Sequence, residues 1–147
     1  MAEQSKKAIP TSDFLRRLFK SPDLEVFMQS HAAEMEISPF HVYITNICES
    51  CGQVPEQIIK RAGIERTYGH QLFNGTRKPS RDKVIQLAFG LGLDTDGTQE
   101  LLKIAQKSLL YPKIKRDAAI LYCLEKKKDF LETQSVLEAL GLTLLGG

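Results

Sequence analysis

The chain contains no tryptophan, and its seven phenylalanines and four tyrosines make up only 7 % of 147 residues. Six prolines and three cysteines are too few for a polyproline scaffold or for the dense disulfide framework of a small secreted domain. No apolar run approaches the ~18 residues that a membrane-spanning helix requires. The opening Met1-Ala2-Glu3-Gln4-Ser5-Lys6-Lys7 leads into no apolar signal region, which argues against secretion. Net charge is scarce as well. Twenty Lys and Arg face eighteen Asp and Glu, and the resulting +2 argues against a nucleic-acid partner as strongly as for one. What remains is 42 % hydrophobic and 26 % charged residues, the composition of a chain that buries a core. The expectation is a soluble protein of the reducing cytoplasm, of one domain or one domain with an appendage.

The small total conceals a regional imbalance. Residues 1–52 carry five basic and seven acidic side chains. Residues 53–93 carry seven basic (Lys60, Arg61, Arg66, Arg77, Lys78, Arg81, Lys83) against three acidic (Glu56, Glu65, Asp82). Over 94–112 the numbers are two and three, and over 113–147 six and five. A solvated helix face also produces such asymmetry, so the local sequence has to decide its meaning.

Apolar residues recur at helical spacing along the whole chain, and no segment alternates as a strand would. Ser12 is positioned to cap a helix whose Phe14, Leu15, Leu18 and Phe19 share a face. Ser21-Pro22 restarts the chain, and Leu24, Phe27 and Met28 repeat the pattern. A polar stretch follows, so residues 1–37 read as an N-terminal helical arm. Ser38-Pro39 pairs a hydroxyl N-cap with proline at the first helical position, ahead of the face Phe40, Ile44, Ile47, Cys51 and a stop at Gly52. Short helices are expected from Pro55 to Ala62 and from Arg66 to Phe73, then a loop through Asn74-Gly75 and Lys78-Pro79. Ser80 caps a helix with Val84, Leu87, Ala88 and Leu91 on one face. Thr95 is positioned to cap another bearing Thr98, Leu101, Leu102 and Ala105. Two more run from about Lys113 to Lys126 and from about Phe130 to Leu140, with Gly141 as the stop. Thr98-Gln99 and Thr133-Gln134 begin similar patterns, a match too short to read as a repeat. The fold class is all-α.

The stretch from Gln53 to Gly75 holds two short helices separated by a tight turn at Gly63, where a residue tolerating positive φ is needed. Ile64 and Leu72 provide apolar anchors, leaving Arg66, Thr67, His70 and Gln71 on the outward face of the second helix. Such side chains suit the major groove of DNA, where Arg pairs with guanine and Gln with adenine.

Leu72-Phe73-Asn74-Gly75, followed by Arg77-Lys78-Pro79-Ser80 and Val84-Ile85-Gln86-Leu87-Ala88, resembles the Cro/phage-repressor (XRE) type of helix-turn-helix domain. The resemblance covers about Ser38 to Ala105. A finer likeness, through Arg66-Thr67-Tyr68-Gly69, Pro79-Ser80-Arg81-Asp82-Lys83-Val84-Ile85, Glu100-Leu101-Leu102-Lys103 and Leu110-Tyr111-Pro112-Lys113 with Arg116-Asp117-Ala118, is to small bacterial regulators carrying two extra C-terminal helices. The resemblance implies a five-helix domain over 38–107 whose third helix reads bases, with an additional helical pair over 108–147. It places Arg66, Thr67, His70 and Gln71 as base-reading residues of a sequence-specific, repressor-like DNA-binding regulator. Asn74 falls where the family often contacts a phosphate, and Arg77, Lys78 and Arg81 surround it, supplying the salt-sensitive share of binding. Pro55 replaces a residue that often bonds phosphate through its side chain; Gln53 or Gln57 remains as a substitute. Double-stranded DNA is the implied partner, without a cofactor, and such proteins commonly bind as homodimers to half-sites one turn apart. Whether the terminal apolar faces dimerise or fold back as extra core is left open by periodicity.

Two further departures are paired. The family usually has a small residue where this chain has Ile59, and Ile or Val where it has Gly69. The expectation is that Ile59 fills the space Gly69 vacates, conserving core volume.

Other constellations carry less. Cys48-Glu49-Ser50-Cys51 has CxxC spacing, but structural zinc needs four ligands and a redox CxxC normally opens a helix, whereas this one closes it. Buried free thiols are expected at Cys48, Cys51 and Cys123. His31, His41 and His70 have no ligand-like spacing, so no metal site and no catalysis is expected. Lys126-Lys127-Lys128 suits a solvated helix end. Tyr68 either touches the sugar-phosphate backbone or packs under the reading helix. The rival function is a protein-interaction adaptor that retains the repressor-like fold, favoured by near-neutrality and the acidic N-terminal region.

Overall fold

The structure, a computed structural model, describes residues 11–35 and 39–146. Among them lie ten α-helices and no strand, so the described chain is all-α. No helix among the described residues is long and apolar enough to cross a membrane. The chain divides into two compact units, with the boundary in sequence between residues 37 and 38.

The first unit contains α1 (Thr11–Lys20), α2 (Leu24–Ser30) and the single turn α3 (Ala32–Met35). Ser12 lies inside α1 and does not cap it. Asp23 caps α2, its carboxylate accepting from the amides of Glu25 at 3.0 Å and Val26 at 3.4 Å. Phe27 is buried, the Phe14 ring meets it edge-on at 5.4 Å, and His31 stacks on it at 4.2 Å. Leu15, Phe19, Leu24, Val26 and Met28 are exposed, so much of the apolar face read from the sequence is uncovered within this unit.

The second unit begins with α4 (Phe40–Ser50), which opens at Pro39; Ser38, the expected cap, lies outside the described residues. Its buried face is Ile44 and Cys48, with Phe40 and Ile47 partly covered. Cys51 is exposed, contrary to expectation, because it is the C-cap rather than a residue of the helical face. α5 (Pro55–Arg61) and α6 (Arg66–Asn74) follow, then α7 (Arg81–Leu91) and α8 (Thr95–Ile104). Ser80 caps α7 as expected, its hydroxyl accepting from Lys83 N at 3.3 Å. Asp94 rather than Thr95 caps α8, accepting from Gly97 N at 2.8 Å; a carboxylate is the better partner at the positive helix end.

α7 is the central element. Every residue from Val84 to Leu91 is buried, against α5, α8 and the later α10 (Phe130–Ala139). The close approach of α5 to α7 needs Gly90, since a β-carbon there would sit 2.5 Å from the Ile58 carbonyl oxygen. Buried Gln86 compensates polar groups at the same contact, donating to the Ala62 carbonyl at 3.0 Å.

The likeness between Thr98-Gln99 and Thr133-Gln134 proves to be a 35-residue tandem repeat. It relates α7 and α8 to α9 (Lys115–Glu125) and α10. Thr98 and Thr133 bond back to the carbonyls of Asp94 and Asp129 at 2.8 and 2.9 Å. Gln99 exchanges two hydrogen bonds with Leu110, both at 2.9 Å, and Gln134 does the same with Leu145 at 2.9 and 2.8 Å. The first residues of each copy cross over. Arg81 binds Asp117 at 3.0 Å and the carbonyls of Ser108 and Leu109; Arg116 binds Asp82 at 2.9 Å and the carbonyls of Thr143 and Leu144. Reciprocal pairing of this kind is what an approximately two-fold arrangement produces, here inside one chain. Ile120, Cys123, Leu124 and Leu137 join the same core as α7 and α8, so the C-terminal pair folds back onto the unit.

Candidate nucleic-acid interface

The turn between α5 and α6 runs from Ala62 to Glu65. Gly63 adopts φ +69°, the left-handed conformation that glycine favours. A second constraint acts on it: a β-carbon there would fall 2.8 Å from Cζ of Phe130 and nearer still to other atoms of that ring, because α10 lays Phe130 across the turn. Ile64 is buried beside it. Glu65 caps α6 with both oxygens, accepting from Thr67 N and Tyr68 N at 2.9 Å each. Those backbone donors hold its carboxyl below the usual carboxylate range.

α6 is anchored by Gly69, Leu72 and Phe73, all buried. At Gly69 a β-carbon would lie 2.6 Å from Cγ1 and 2.9 Å from Cδ1 of Ile59, and closer to Cγ2. Ile59 therefore occupies the volume that a side chain at position 69 would take. The opposite face carries the residues singled out from the sequence: Arg66 and Thr67 exposed, His70 and Gln71 partly exposed, and Asn74 exposed at the end.

These side chains are held by intraprotein bonds. Arg66 Nε donates to both oxygens of Glu56, at 3.0 and 3.2 Å, and His70 Nε2 lies 2.8 Å from one of them. Glu56 is accordingly held below the ordinary carboxylate range, first by the His70 bond and then by Arg66. Gln71 Oε1 accepts from Arg77 Nε at 2.9 Å, and the Arg77 guanidinium sits 4.5 Å over the Tyr68 ring. Lys83 Nζ lies 5.4 Å from the same ring. Tyr68 thus packs partly against the core and provides a platform for two cations. Asn74 Oδ1 accepts from Thr76 N at 2.8 Å, an Asx turn that leaves the amide NH2 as a donor.

The phosphate set changes more. Arg77 and Lys78 are exposed at the C-terminal side of α6. Arg81 is not available there: its Nε, Nη1 and Nη2 are directed to Ser108, Leu109 and Asp117, with Asp117 nearly fully buried. Of the two glutamines considered beside Pro55, Gln53 accepts from Arg61, while Gln57 is exposed and makes only a 3.4 Å contact to Val54 N. Gln57 is thus the less committed of the two.

Cys48 and Cys123 are buried free thiols, and Cys51 is an exposed one. Cys48 Sγ donates to the Gln53 carbonyl at 3.1 Å, and burial pushes its pKa up. Among the described residues no three His, Cys, Asp or Glu side chains are grouped so as to hold a metal ion.

Sequence reasoning missed Glu56 and Glu65. Glu56 stands ten and fourteen residues before its two partners, a separation no local spacing rule relates; the turn geometry brings them together. Glu65, just before α6, is a carboxylate at an N-cap position, and that signal was legible. No protein-family model, no curated protein and no solved structure matches this chain.

Proposed function

We propose that the second unit is a sequence-specific, repressor-like DNA-binding regulator. In this reading α4 to α8 act as the five-helix domain of the Cro/phage-repressor type, and α6 enters the major groove. The observation that carries it is the two-sided character of α6. Gly69, Leu72 and Phe73 fix one side in the core, while Arg66, Thr67, His70 and Gln71 stand together on the other. Arg66 matches guanine and Gln71 matches adenine by hydrogen-bond pattern. Arg77, Lys78 and the Asn74 amide at the end of the helix, with Gln57 on α5, form the phosphate-contacting set, from which Arg81 drops out. Two chains on half-sites about one helical turn apart would read a longer site than one.

Titration of binding to a non-specific duplex against salt tests the reading. Each phosphate neutralised steepens the decline of log K with log salt by about 0.9, so a multi-cation contact weakens sharply between low and moderate salt. The rival adaptor function predicts no salt-dependent shift of any duplex. The pairing of Arg66 and His70 with Glu56 is the observation that favours the rival, since it lowers the free positive charge on the face.

A further inference from the structure

We infer that Glu56 is the positioning residue that sets base specificity on α6, by clamping Arg66 and His70 together on one carboxylate; this rests on the DNA-binding reading above.

The three side chains come from two helices and remain open to solvent, at 74 % for Arg66, 52 % for Glu56 and 40 % for His70. Exposed ion pairs contribute little to folding, so stability does not account for the arrangement. Its geometric effect is larger. The guanidinium is planar, and a bond through Nε to both Glu56 oxygens fixes that plane while leaving the Nη1–Nη2 edge for a second bidentate partner. The O6 and N7 acceptors of guanine are such a partner. A carboxylate only accepts, so the proton of His70 between the two groups lies on Nε2, and Nδ1 is left to bond elsewhere. One residue on α5 thereby orients two residues on α6.

Glu56 also differs from the other acids of its region. Asp82 is bound by Arg116, and Glu65 by backbone amides. Glu56 alone of these three shares its carboxylate with proposed base-reading groups. Its charge repels phosphate on every duplex alike, whereas its clamp helps only where Arg66 meets a correctly placed guanine. The two effects have opposite signs. Glu56 therefore suppresses non-specific binding while sharpening specific binding.

The test uses the full chain with two probes: a duplex enriched by the wild-type protein from a randomised pool, and a scrambled duplex of the same composition. Glu56→Gln and Glu56→Ala should tighten binding to the scrambled duplex severalfold and lower the enriched-to-scrambled affinity ratio by at least about tenfold, roughly one bidentate base contact. Glu56→Asp, which keeps the charge but shortens the reach, should restore wild-type affinity for the scrambled duplex without restoring the ratio. A ratio within twofold of wild type in Glu56→Gln and Glu56→Ala overturns the inference. So does equal weakening on both duplexes, the mark of a merely structural residue. If the wild-type protein binds no duplex in a salt-dependent way, the DNA-binding reading itself fails and this inference falls with it.

Discussion

Gly69→Val places a branched side chain in a volume that Ile59 already fills. The β-carbon alone would stand 2.6 Å from Cγ1 and 2.9 Å from Cδ1 of Ile59. Carbon atoms pack at about 3.5–4.0 Å, so that one atom demands a shift of roughly 1 Å before the two γ-methyls are considered. Ile59 is only 2 % exposed and is hemmed in by the core, so it has nowhere to swing. Overpacking of this kind costs about 1–3 kcal/mol. Replacing glycine inside a helix returns only a few tenths of a kcal/mol when the newcomer is valine. The net expectation is a loss of about 1–2.5 kcal/mol. Ile59→Ala alone leaves a cavity and should cost about 2–5 kcal/mol. Combined, the valine γ-methyls enter the space the isoleucine gave up. The double variant should be more stable than Gly69→Val, with a favourable coupling of about 1–3 kcal/mol in the cycle. Urea unfolding followed by circular dichroism reads all four corners at constant slope. A Gly69→Val protein as stable as wild type would refute the reasoning. A double variant no more stable than Gly69→Val would refute it equally.

Arg81→Ala should cost about 3–5 kcal/mol in the same assay, because it strands the nearly buried Asp117 carboxylate. Arg81→Met combined with Asp117→Leu should cost clearly less, since no charge is left unpaired. In the native protein a thiol reagent should modify Cys51 rapidly, and Cys48 and Cys123 only upon unfolding, as counted by mass spectrometry in and out of denaturant. Asp82 and Glu65 set an acid-side dependence. Burial alone would raise the Asp82 pKa, but the hydrogen bonds and charge of Arg116 outweigh it and lower it. Glu65 is lowered by the amides of Thr67 and Tyr68. A carboxyl depressed in the folded state contributes stability that is fully present above its unfolded pKa and lost as pH falls through the folded value. Stability should therefore fall on acidification below the ordinary carboxylate range of about pH 4, and Asp82→Asn should flatten that fall.

Helix existence was legible along the described chain except at the single turn α3, read as a polar stretch, because each other apolar face recurs at helical spacing, and Ser80, Gly63 and Gly141 marked ends correctly. Two of the caps misread from sequence share one cause. At Asp23 and Asp94 a carboxylate displaces a neighbouring hydroxyl or proline signal, as its charge interacts better with the helix end. The Ile59–Gly69 exchange was legible as a volume argument between two positions on helices already known to touch. The repeat was not, because its shared residues are scattered: Arg81-Asp82, Ile85, Asp94, Thr98-Gln99, Leu102 and Leu109-Leu110 recur at Arg116-Asp117, Ile120, Asp129, Thr133-Gln134, Leu137 and Leu144-Leu145, with mostly different residues between. The crossed pairs and the matching Thr and Gln bonds expose it, and the crossed pairs explain why Arg81, close in sequence to Arg77 and Lys78, turns inward in space. Glu56 escaped notice for the same reason. An exposed acid near a helix start reads as a dipole partner until the next helix brings Arg66 and His70 onto it.

Selection from randomised duplex DNA, run in parallel with the wild-type protein and with Arg66→Ala plus Gln71→Ala, is the most direct test of DNA reading by α6. The wild type should enrich a defined motif. The double variant should retain salt-sensitive binding through Arg77 and Lys78 but enrich no motif. Enrichment of the same motif by both proteins, or of none by the wild type, would contradict base reading by this helix.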